Sequence, residues 1–151
     1  MPQEWQWNTL AECLDGYQSR HGSLDRLPAK DAAQIRFQFE QARLMALDES
    51  QAEIHRHAAL RLLRAGLGLE NEIQQTLVAL LDPRHPPSLI EQAASTLLRE
   101  FPQQAVSELL STWTAFSPRL QQSILDDLLR RREWTLTLLQ LAQEKSITLP
   151  L

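Results

Sequence analysis

The stretch AALRLLRAG, Ala58 to Gly66, decides how the chain is read. Its triplet Leu62-Leu63-Arg64 returns as Leu97-Leu98-Arg99 and again as Leu128-Leu129-Arg130. The residues upstream fall into line with it: Ile54, Leu89 and Leu120 coincide, then Ala58, Ala93 and Ile124, then Ala59, Ala94 and Leu125. The offsets between copies are 35 and 31 residues, the period of a helical-hairpin repeat. At 100° per residue, Ile54, Ala58 and Leu62 make one stripe, and Ala59 and Leu63 widen the apolar arc to about 180°. A helix with so wide an arc packs against two neighbours, as helices in a repeat array do. The expected repeat core is Ile54, Leu62, Leu63, Leu89, Leu97, Leu98, Leu120, Leu128 and Leu129, with Trp113 and Trp134 from the second helices. The three arginines fall opposite the arc at helix ends, where a cation complements the helix dipole.

Punctuation agrees with this layout. Gly66 and Gly68, Pro102, and the Arg131-Arg132 link follow the three triplets. Second helices are expected at about Glu70–Leu81, Gln103–Ala115 and Glu133–Lys145. In "LLDPRHPPSL" Pro87 suits the first turn of a new helix, and in "FSPRL" Ser117 suits the N-cap with Pro118 after it. Upstream, Ala29–Leu47 carries Ile35, Phe39, Ala42 and Ala46 along one side. A first helix carries Trp7, Leu10, Leu14 and Tyr17. The expected fold is all-α: a right-handed α-solenoid of about four HEAT- or armadillo-like hairpins, about eight helices in one domain over 1–151. Its repeats span about 3–48, 50–81, 86–115 and 118–146. The ending "SITLPL" reads as the cut edge of a larger protein.

Composition supports this class: of 151 residues, 43% are hydrophobic and 23% charged, with only four glycines, as in a helical globular protein. Net charge is −4, with thirteen arginines and two lysines, which disfavours nucleic acid as a partner. No apolar run reaches the length of a membrane span. The lone Cys13 cannot form an internal disulfide and reads as a small buried hydrophobe.

A search for chemistry finds no catalytic, cofactor-binding or metal-binding set. His55 and His57 are two apart and diverge on a helix, whereas helical metal pairs need spacings of three or four. His21 and His85 read as exposed polar residues at a helix end and a proline-rich turn. Glu70, Glu72, Asp126 and Asp127 read as solvated faces and helix-dipole partners. The tryptophans Trp5, Trp7, Trp113 and Trp134 read first as core. Arg130, Arg131 and Arg132 are the one candidate surface-interaction cluster, with Asp126, Asp127 and Glu133 around them.

The stretches "LLDPRHPPSLIEQAASTLLREF" and "LLSTWTAFSPRLQQSILDDLLRRREWTLTLLQLAQ" resemble the HEAT-like segment of large planctomycete-type haem-binding proteins. The shared features are the Leu80–Arg84 turn, Trp113 before Ser117-Pro118, and Leu128 to Trp134 followed by Leu138-Leu139. The resemblance implies an exported, periplasmic parent in which a sugar-dehydrogenase-like propeller precedes the helical segment and a c-type cytochrome follows it. Haem c is then expected only on that other domain, since this chain has no C-x-x-C-H. The expected function is a non-catalytic scaffold or protein-interaction module. Two alternatives are a nucleic-acid-binding protein of the HEAT-like DNA glycosylase type and a HEAT-like tetrapyrrole lyase or chaperone.

Overall fold

A computed structural model describes residues 4–21, 27–65 and 70–130. The helices among them are α1 (Glu4–His21), α2 (Ala29–Leu47), α3 (Glu53–Leu63), α4 (Glu70–Ala79), α5 (Pro87–Glu100), α6 (Pro102–Ser111) and α7 (Pro118–Leu129), with a 3-10 turn at Trp113–Ala115. No strand occurs among the described residues, so the all-α expectation holds. The helix expected at Glu133–Lys145, and with it Trp134, lies outside the described residues. The chain divides into two compact units, Met1–Leu80 and Leu81–Leu151.

In the first unit α3 packs on both α1 and α2, and α2 also packs on α4. Two partners require two faces. Arg56, Ala58, Ala59, Leu60, Leu62 and Leu63 are all buried, an arc of about 200° at 100° per residue. Ala42 and Ala46 on α2, fully buried like Ala59 on α3, leave room for the backbones to approach closely. Trp7, Ala11 and Leu14 form the buried stripe of α1. Polar bonds join the same pairs: an Arg64 guanidinium nitrogen lies 2.6 Å from Asp15 Oδ2 across α1 and α3, and Arg43 Nε donates to Thr76 Oγ1 at 3.0 Å across α2 and α4.

The link from α2 to α3 is a short turn organised by Asp48. Its carboxylate accepts from the Ser50 backbone N–H at 2.9 Å and the Ser50 hydroxyl at 2.6 Å. The first turn of the new helix then delivers Arg56 to the end of the old one, where its Nε donates to the Ala46 carbonyl at 2.9 Å. That carbonyl is among the last of α2, which have no partner within the helix. A buried cation placed there also meets the negative end of the α2 dipole.

In the second unit α5 packs on α6 and α7. Seven buried residues, Leu89 to Leu98, again wrap about 200° of α5. On α7 the buried set narrows to Leu120, Ile124, Leu125 and Leu128, about 140°. Pro87, Pro102 and Pro118 each stand in the first turn of a helix. Ser117 caps α7, its hydroxyl accepting from the Leu120 N–H at 3.3 Å. The helix expected to run from Gln103 to Ala115 stops at Ser111 and gives way to the 3-10 turn. The Ser111 and Thr112 hydroxyls both donate to the Glu108 carbonyl at 2.8 Å, a local bond that competes with helix continuation.

Five expectations are corrected. Trp5, read as core, is 61% exposed, because two positions on α1 turn it about 200° away from buried Trp7. Ile54, expected in the core, is 55% exposed: the arc of α3 is turned toward Arg56 and Leu60, so Ile54 falls about 40° outside its edge, near exposed Arg61. Leu129 is 56% exposed because it ends α7, about 40° past Leu125 at the edge of the narrower arc. Cys13 is exposed, about 100° round α1 from Leu14. His85 is buried instead of exposed; its N–H closes a turn on the Asp82 carbonyl at 3.0 Å, and the turn that leaves the Arg84 side chain 76% exposed puts the next residue inside.

Candidate functional site

Because α1 and α2 both rest on α3, a groove runs between them. Trp7, buried on α1, donates its ring N–H to Gln38 Oε1 on α2 at 3.4 Å. This bridge lines both of two clefts. One, of about 500 Å³, is bounded by Leu10, Ile35, Gln34 and Asp31. The other, of about 370 Å³, is bounded by Phe37, Gln41, Leu44 and Met45 and reaches Asp48.

The outer side of α2 along this groove is unusual in being apolar without being covered. Phe37 is 59% and Leu44 63% exposed. Seven residues apart, they lie within about 20° of each other on the helix. Gln34, Gln38 and Gln41 make a neighbouring stripe, since spacings of four and three keep side chains on one face. Each amide carries two donors and an acceptor. The groove therefore alternates apolar contact with groups able to bind backbone amides.

Its two ends are acidic. Asp31 stands in the first turn of α2 and Asp48 just after its last turn. The Asp48 carboxyl is held below the usual carboxylate range by hydrogen bonds, first from the Ser50 hydroxyl, then from Gln51 and the Ser50 N–H, with Arg56 adding its charge. Among the described residues, neither cleft is lined by a basic side chain.

The residues singled out in the sequence are placed as follows. Leu62, Leu63, Leu89, Leu97, Leu98, Leu120, Leu128 and Trp113 are buried; Ile54 and Leu129 are exposed, as above. Arg130 is exposed, 3.6 Å from Asp127, while Arg131 and Arg132 lie outside the described residues. The repeated arginines do not share one role: Arg64 pairs with Asp15 on another helix, whereas Arg99 pairs with its chain neighbour Glu100 at 2.8 Å. His57 Nε2 lies 3.3 Å from Glu53 Oε1. Among the described residues no group of three His, Cys, Asp or Glu side chains is placed to hold a metal ion, and no helix is long and apolar enough to cross a membrane.

Sequence reasoning missed the groove itself. Ile35 and Phe39 mark the inner side of α2, but Phe37 and Leu44 on the other side are equally apolar, and that two-sidedness was the available signal. Comparisons of the chain with protein-family models, with curated proteins and with solved structures found no match.

Proposed function

We propose that the chain is a non-catalytic interaction module, a right-handed α-solenoid of HEAT-like hairpins that spaces or docks other proteins. One observation carries this reading: within each unit, helices two apart in the chain pack on one another, α1 on α3 and α5 on α7. Alternate helices stack in this way when a hairpin is repeated. The buried positions of α3, α5 and α7 also repeat, each helix burying its counterparts of Ala58, Ala59 and Leu62.

By the resemblance noted in the sequence, the parent is an exported oxidoreductase in which this module joins a dehydrogenase-like propeller to a c-type cytochrome. The arrangement puts the redox chemistry and the haem on the flanking domains. The reading frame around this segment tests it. A propeller-encoding stretch upstream and a C-x-x-C-H stretch downstream are expected, and the purified chain should then form a stoichiometric complex with either domain in sedimentation experiments. A frame encoding neither domain would overturn the link to redox partners.

A further inference from the structure

We propose that the groove between α1 and α2 binds an extended segment of a partner protein, about nine residues long, apolar at its centre and basic at both ends; this rests on reading the chain as an interaction module. The length follows from the carboxylates. Asp31 and Asp48 are seventeen positions apart, about 26 Å along the helix at 1.5 Å per residue. An extended chain covers that span in about eight steps of 3.3 Å.

The conformation follows from the amides. A helical ligand satisfies its own backbone, whereas an extended one presents N–H and C=O groups that need partners. Gln34, Gln38 and Gln41, spaced along the groove, match that need. The two clefts on the Trp7–Gln38 bridge take apolar side chains, with Phe37 and Leu44 at the rim of the second. The charge follows from the ends, where Asp31 and Asp48 are the only charged side chains that line the clefts among the described residues. Lys30 and Arg36 are exposed on α2 but line neither.

Charge also argues against a second copy as the occupant. A two-fold contact of this face with itself sets the Asp31 end of one α2 against the Asp48 end of the other. Carboxylates then face carboxylates, which disfavours the pairing.

The probe is a fluorescein-labelled nonapeptide with arginine at both ends, leucine, phenylalanine and leucine at its third, fifth and seventh positions, and serine between. Side chains two apart point to the same face of an extended chain, so all five reach the groove. Anisotropy titration of the full chain should show saturable binding. A glutamate-ended peptide, and the arginine peptide on the Phe37→Ser, Leu44→Ser variant, should each bind at least about tenfold more weakly, a loss of about 1.4 kcal/mol. Both substituted residues are exposed, so the variant should keep the parent's helical circular dichroism and melting temperature.

Equal binding of the two peptides, equal binding by the variant, or no binding at about 1 mM peptide, a Kd matching only about −4 kcal/mol, would overturn the proposal. So would a dimer of the free chain in sedimentation that disappears in the variant, which would make a second copy the occupant. If the peptide fails while the chain still binds its flanking domains, the groove proposal falls and the module reading stands. Peptide binding with no flanking-domain complex would give the reverse.

Discussion

Arg56 and Arg64 show how little a residue's type says about its energetic weight. Arg56 is 3% exposed and donates to the Ala46 carbonyl; removing it strands a buried carbonyl and empties packed space. Arg56→Ala should lower the unfolding free energy by about 2–3 kcal/mol, in the range of a lost bond from a charged donor. Arg64 pairs with Asp15, but both side chains are more than a third exposed. Solvent screening leaves such a pair about 0–1 kcal/mol, so Arg64→Ala should cost less than Arg56→Ala in urea unfolding. Equal losses would mean that the carbonyl contact is not what holds Arg56.

Asp82 gives a pH prediction at the same scale. The side chain of Arg84, then its backbone N–H, donates to the Asp82 carboxylate, and the carboxyl pKa falls from 3.8 to about 2. The folded value lies below the unfolded one, so the stabilisation is complete above the unfolded pKa and is lost as pH falls through the folded one. The melting-temperature gap between the parent and Asp82→Asn should be constant near neutrality and shrink between about pH 4 and pH 2. A gap unchanged across that interval would count against the turn.

At the scale of the element, a helix's buried arc is set by how many neighbours it has, and the apolar letters mark only part of it. Leu89 and Ile54 occupy the same place in the repeat, yet Leu89 is fully buried and Ile54 is 55% exposed. Leu89→Ala should cost about 2–5 kcal/mol, and Ile54→Ala should stay within about 0.5 kcal/mol of the parent. Urea midpoints decide it; comparable losses would restore Ile54 to the core. The positions of the helices were legible because leucine and alanine recur at helical spacing and proline or serine marks the starts at Pro87, Pro102 and Ser117. The direction of each arc was not, because Arg56 is charged in the sequence and becomes buried only when α2 supplies its carbonyl. For the same reason Phe37 and Leu44 read as ordinary apolar residues until α1, α2 and α3 are placed and leave them uncovered.

Across the whole molecule, the three Leu-Leu-Arg helices put the leucine that opens each triplet in the core while letting the rest of the triplet diverge. Leu63 and Leu98 are buried and Leu129 is not; Arg64 bridges two helices, while Arg99 and Arg130 pair within or beside their own. Such divergence is expected if the repeat conserves packing and leaves the surface open for partners, the uncovered groove on α2 among it. The most direct measurement is urea unfolding of Leu62→Ala, Leu97→Ala and Leu128→Ala, made one at a time, since all three leucines are fully buried. Each variant should lose about 2–5 kcal/mol; any one that unfolds at the parent's midpoint would contradict the claim that the triplet marks one structural unit used three times.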